Sequence, residues 1–215
     1  MADIAALILA GGSSTRFGGC KLLAEIDGRN LLQRSIDLAS GVLSGHVHVV
    51  TGAWHTQLMA AKAEGQLYGA EFIHVVDWSE GMAASLRAGI NTLAADYDAV
   101  LVLLADQVAL TMADLEALLE AFDGHNIVCG VYGGRRGVPA VFPRSSFPRL
   151  RQLVGDQGAK AVLYETAIPI RECAMPNAQR DIDTPEQLKA WPGSGAGGDS
   201  SQHLSPPDLP GGRTA

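Results

Sequence analysis

The stretch LAGGSSTRFGGCK, Leu9 to Lys21, combines four glycines with two cations. Gly11, Gly12, Gly18 and Gly19 let the backbone turn tightly, and the N–H groups exposed this way can form a concave anion site. Arg16 adds a planar fork that matches phosphate oxygens, and Lys21 adds a compact positive charge. Leu22 follows Lys21, so the loop is not a Walker A motif, and G-x-G-x-x-G is not matched either. The chemistry it suits is polyphosphate binding. The bland alternative is a glycine-rich surface turn with two solvated cations.

Four further segments carry polar groups in suggestive patterns. AVLVLLAD ends in Asp106. A carboxylate after an apolar run is costly unless something pairs with it. Mg²⁺ would serve, because it takes one or two carboxylates plus substrate phosphates; capping of the next turn is the alternative. In WSEGMAASLRAGI, Gly81 permits close approach, and Ser85 and Arg87 supply polar groups near a helix N-terminus, which favours anions. Met82, Leu86 and Ile90 read as core there. In GDQGAK, Gly155 and Gly158 could hold a phosphate by backbone N–H groups, beside Asp156 and Lys160. Late in the chain, Asp183-Thr184-Pro185-Glu186 reads as a helix start.

The elements that must position these groups follow from hydrophobic periodicity. Apolar runs recur at 4–10, 46–51, 71–76, 99–105, 127–131 and 138–142. Several are continuous, as in strands buried on both faces. Helical patterns lie at 30–43, 82–93 and 111–122, the last with Thr111 as N-cap. Arg135 and Arg136 fall in a hairpin. This alternation predicts an α/β fold, a single three-layer Rossmann-like domain with a mostly parallel sheet over 1–191. Ligands of such sheets bind beyond the carboxyl ends of the strands. From 192 to 215 the chain is Gly/Ser/Pro-rich and reads as a disordered tail.

The net charge of −7 speaks against a broad nucleic-acid surface. The N-terminal apolar run has no basic flank and is too short to span a bilayer, so no membrane role is expected. Cys20, Cys129 and Cys173 form neither a zinc spacing nor a disulfide framework, which fits a cytoplasmic protein. His46 and His48 share a strand face with no third ligand in view and read as structural.

LAGG-x-S-x-R-F-G-G-x-K resembles the signature loop of the MobA-like NTP transferases, and the resemblance runs from about residue 4 to 188. It implies a nucleotidyltransferase whose loop, Leu9, Ala10, Gly11 and Gly12 included, wraps the triphosphate, with Arg16 and Lys21 on the phosphates. It implies Asp106 and Asp183 as Mg²⁺ ligands, Asp181 being the alternative to Asp183. The segment G-M-x-x-S-L-x-x-G resembles the molybdenum cofactor cytidylyltransferase branch and implies nucleotide contacts from Gly81 and Ser85. It favours CTP, whereas LAGG in place of that branch's LAAG favours GTP. Gly155, Asp156, Gly158 and Lys160 fall in the segment that lines the acceptor side. The implied acceptor is a phosphorylated small molecule such as molybdopterin, and the implied recipient of the product is a molybdoenzyme or its chaperone. A sugar phosphate acceptor and a non-catalytic cofactor carrier are the competing readings.

Overall fold

The computed structural model describes residues 2–165 and 167–192. The stretch read as a tail lies, from residue 193 onward, outside the described residues. In chain order the elements are β1 (Ile4–Ala10), β2 (Glu25–Ile26), β3 (Arg29–Asn30), α1 (Leu31–Val42), β4 (Val47–Thr51), α2 (His55–Ala63), β5 (Glu71–His74) and α3 (Met82–Leu93). They continue with β6 (Ala99–Leu104), α4 (Met112–Ala121), β7 (Ile127–Tyr132), β8 (Arg135–Pro143), α5 (Phe147–Arg151), α6 (Ala159–Glu165), β9 (Ile170–Ala174) and α7 (Pro185–Lys189).

Seven strands form one sheet in the order β5-β4-β1-β6-β8-β7-β9. β5, β4, β1 and β6 are mutually parallel, and β8 alone runs against its neighbours. The continuous apolar run of β1 serves both faces at once. Ala5, Leu7 and Leu9 join the core under α3, α5 and α6, while Ala6, Ile8 and Ala10 join the core under α1, α2 and α4. Each fully buried Leu or Ile contributes about 1.5–3 kcal/mol, so the central strand is fixed from two sides. That rigidity matters because the sheet order turns at β1: β4 and β5 extend to one side, β6 to the other. The carboxyl ends of β1 and β6 therefore open the crevice in which such sheets hold ligands.

The three-layer expectation holds, and the helix starts are as predicted. Asn30 caps α1 by accepting from the Gln33 amide, and Thr111 caps α4. The Asp114 carboxylate accepts from the Thr111 amide at 2.8 Å and from Asn177 Nδ2 at 2.9 Å, which ties the helix to the C-terminal segment. Burial works to raise the Asp114 pKa, but the hydrogen bonds from Asn177 and Thr111 outweigh it and hold it below the ordinary value. A depressed folded-state pKa gives stability that is present above pH 3.8 and lost as pH falls through the folded value. Thr111→Ala is expected to cost about 1 kcal/mol in urea unfolding. The deficit of Asp114→Asn should shrink on acidification below pH 4.

The sequence reading also missed elements. The two-residue strands β2 and β3 are too short to show periodicity. β9, with Ile170 and Cys173 partly buried and Arg171, Glu172 and Ala174 exposed, has the mixed face of an edge strand. Among the described residues no helix is long and apolar enough to cross a membrane.

Candidate active site

The glycine loop leaves β1 at Gly11 and returns at Lys21, which opens a short 3₁₀ turn. Trp54 Nε1 donates to the Ser13 carbonyl at 3.0 Å and pins the loop's middle to the start of α2. A Cβ placed at Gly11 would lie 2.5 Å from Ser85 Oγ, so glycine is what lets the loop pass over the buried first turn of α3. At Gly12, by contrast, a Cβ would meet open space.

The loop roofs a cavity of about 450 Å³. Arg16, Lys21, Asp106 and Asp183 line it, as do Trp78, Ser79, Gly81, Met82, Ser85 and Asp156. The Lys21 ammonium donates to Asp106 Oδ2 at 2.8 Å, to Asp183 Oδ1 at 3.0 Å and to the Ile182 carbonyl at 2.9 Å. Arg16 pairs with the second Asp183 oxygen at 2.8 Å. Two cations thus balance two carboxylates. Burial works against the charged form of Lys21, but Asp106 and Asp183 outweigh it and hold the pKa above the ordinary lysine value. The other Asp106 oxygen, Oδ1, is buried with no hydrogen-bond partner.

Asp183 reaches the cavity because Ile182 anchors its segment. Ile182 is buried with Ile26 and Leu31, its amide donates to the Asp106 carbonyl at 3.3 Å, and its own carbonyl holds Lys21. Thr184 then starts α7 with a capping box closed by Gln187. The segment starts a helix, as its sequence suggests, and it also brings the Asp183 carboxylate to the cavity wall. Asp181 is exposed and does not line the cavity; Asp183 does.

Leu9, Ala10, Gly11, Gly12, Arg16, Lys21, Gly81 and Ser85 all line the cavity, as does Asp106. Several other expectations need correction. Arg87 faces away, held by Glu80 at 2.8 Å and by the Leu153 carbonyl at 2.9 Å, because α3's periodicity turns position 87 from the cavity. Met82 is 42 % exposed and lines the cavity rather than joining the core, since it opens the helix instead of lying within its buried stripe. Of the GDQGAK residues, only Asp156 lines the cavity. The Gly155 carbonyl is taken by the Ala83 amide at 3.1 Å, Gly158 packs against the Met82 sulfur, and Lys160 is exposed on α6. Through the Gly155 carbonyl and Gly158 the segment props the first turn of α3. Arg136 is likewise tied, to Glu172 at 2.6 Å.

Trp78, Ser79 and Asp156 are among the lining residues that sequence reasoning missed or placed elsewhere. Gly81 is their pivot. It sits at φ 106°, and a Cβ there would collide with the Gly155 carbonyl and come within 2.6 Å of the Asp156 carboxylate. Gly81→Ala is expected to displace the 153–158 segment and lower the melting temperature by roughly 5 °C, with nucleotide affinity falling in parallel in a binding titration.

His46 and His48 both contact the Tyr97 hydroxyl, at 3.2 and 3.3 Å, in keeping with a structural role. The three cysteines are free thiols. Burial raises the pKa of all three, Cys129 to about 11, so none is activated as a thiolate nucleophile.

The MobA-like NTP transferase domain matches residues 6–170, most of the described chain. This protein belongs to that family. As a MobA-like transferase it is a nucleotidyltransferase, and the NTP is its donor substrate. The family match ends before Asp183, whose place in the site rests on the geometry above. Among curated MobA-like relatives, nicotine blue oxidoreductase of Paenarthrobacter nicotinovorans is 31 % identical, over 86 % of this chain and 94 % of its own. Purine catabolism protein PucB of Bacillus subtilis is 29 % identical, over 84 % and 92 %. The solved structure of Rv0371c from Mycobacterium tuberculosis superposes with a TM-score of 0.74 at 26 % identity, covering 88 % of this chain and 96 % of that one. A second structure of Rv0371c is a complex with manganese.

Proposed function

We propose that this MobA-like transferase moves a nucleoside monophosphate, CMP in preference to GMP, from its triphosphate to molybdopterin, with Mg²⁺ as the metal and pyrophosphate as the leaving group. The observation that carries the reading is the convergence of Asp106 and Asp183 on one point, the Lys21 ammonium, beneath the glycine loop. The donor set suits a hard dication. It offers carboxylate oxygens only, and one of them, Asp106 Oδ1, is buried and without a partner. Among the described residues no group of three or more His, Cys, Asp or Glu could hold a metal. Two carboxylates with the balance supplied by phosphate oxygens and water match how Mg²⁺ is usually held.

Asp106 and Asp183 would hold the cation, whose chemistry would be charge neutralisation at the α-phosphate. The chain's own residues do the rest by position and charge. The loop from Gly11 to Arg16 offers N–H groups to the β- and γ-phosphates, and Arg16, 74 % exposed, is free to turn from Asp183 onto them. Lys21 stabilises the departing pyrophosphate. Gly81 and Ser85 bring the first turn of α3 against the nucleoside. An acceptor phosphate is already ionised at neutral pH, so the absence of an activated thiol is no obstacle. We place the reaction in the cytoplasm, where free thiols such as these persist.

A second reading rests on the name of the 31 % identical relative, an oxidoreductase. Under it, the same loop holds the phosphates of a nicotinamide dinucleotide, and Trp78 and Met82 of the cavity lining lie against a reducible heterocycle. One assay separates the two. Each NTP is paired with molybdenum-loaded molybdopterin, with and without Mg²⁺, and pyrophosphate is measured. Metal-dependent release with CTP leading is the expected result. No release with any NTP, together with oxidation of NADPH by a quinonoid dye, would establish the second reading instead.

A further inference from the structure

We propose that Lys21 holds the place of the divalent cation in the nucleotide-free protein, so that metal is admitted only together with the NTP. The inference rests on the reading of Asp106 and Asp183 as metal ligands. Its starting point is that the ammonium fills the gap between the two acids. Its side chain is 11 % exposed, and all three of its N–H bonds have acceptors: one oxygen from each carboxylate and the Ile182 carbonyl. Nothing of Lys21 is left over for a phosphate until one of those bonds is released.

The carboxylates are equally committed. Arg16 takes the second Asp183 oxygen. The second Asp106 oxygen is buried, so solvent reaches Asp106 only through the oxygen that Lys21 already holds. A dication approaching this site therefore meets an ammonium in the position it needs, and like charges at that range repel. Among the described residues it also finds only two carboxylates, too few to replace its hydration shell.

An incoming triphosphate changes both sides of this balance. It brings the oxygens that complete a cation's coordination. It also gives Lys21 and Arg16 new acceptors of higher charge. Lysine suits the exchange, because its four-carbon stem is flexible and its three donors can be redirected as a unit. The short loop that carries Lys21 has Gly18 and Gly19 just before it, where an added Cβ would meet open space, so the backbone there has room to adjust. The ammonium would then serve twice, first keeping two carboxylates together without metal and then neutralising phosphate.

The test is Mn²⁺ binding to the nucleotide-free protein, read from the free-ion electron paramagnetic resonance signal. Wild type is compared with Lys21→Met and Lys21→Gln, the glutamine retaining a donor for the Ile182 carbonyl should the methionine variant fold poorly. Both variants are expected to bind one Mn²⁺ at least about tenfold more tightly than wild type, and Asp106→Asn in the Lys21→Gln background should abolish the gain. Equal affinity in wild type and the variants, lost from each on Asp106→Asn, would overturn the placeholder role alone. A gain that survives Asp106→Asn would overturn the metal-ligand reading beneath it as well.

Discussion

Asp106→Asn is expected to lower kcat for NMP transfer on the order of 10³-fold. The substitution keeps the side chain's shape and a hydrogen-bond acceptor for Lys21, which retains Asp183 and the Ile182 carbonyl as partners. The backbone carbonyl of Asp106, which receives the Ile182 amide, is untouched. Unfolding should therefore stay cooperative, and KM for the NTP should change far less than kcat, because the loss falls on charge that develops in the transition state. Steady-state kinetics with a parallel thermal melt decides the matter. Near wild-type kcat in a folded Asp106→Asn protein would remove this residue from the chemistry.

The second large effect is a contrast between two acids two residues apart. Asp183→Ala is expected to reduce kcat/KM on the order of 10²-fold, because it removes a carboxylate from Lys21 and Arg16 together. Asp181→Ala, on an exposed residue outside the cavity, is expected to stay within about twofold of wild type. The comparison is internal, since both substitutions remove one negative charge from the same segment. Rescue of Asp183→Ala by raised Mg²⁺ would show that the loss lies in metal affinity. Equal effects at both positions would point to net charge rather than to a ligand.

These contrasts also mark how far the sequence was legible. β1, α3 and the Thr111 cap could be read because each has an unambiguous local cause: a two-faced apolar run, a helical stripe, a side-chain oxygen before a helix. The cradle was legible for the same reason, since glycines, Arg16 and Lys21 follow directly from the end of a strand. Asp183 was harder. Its local signal is that of a helix start, and what places it in the cavity is Ile182, buried against Ile26 and Leu31 from the far end of the chain. No periodicity announces one buried isoleucine in a polar segment. The GDQGAK segment has a packing role that its sequence does not announce. Its glycines suggest an anion nest, and what the sequence does not show is that the Gly155 carbonyl accepts from Ala83 while Gly158 packs against Met82 in the first turn of α3. Arg87 likewise has the composition of a phosphate ligand and the wrong phase on its helix. Residue type and spacing conveyed the chemistry, whereas direction depended on tertiary packing.

The decisive measurement is an anomalous difference map from crystals of the full chain grown with Mn²⁺ and a non-hydrolysable CTP analogue. The expected result is a single peak within bonding distance of both the Asp106 and Asp183 carboxylates and of an α-phosphate oxygen, with the Lys21 ammonium moved onto the phosphates. A peak bound by one of these acids without the other, or by neither, would contradict it.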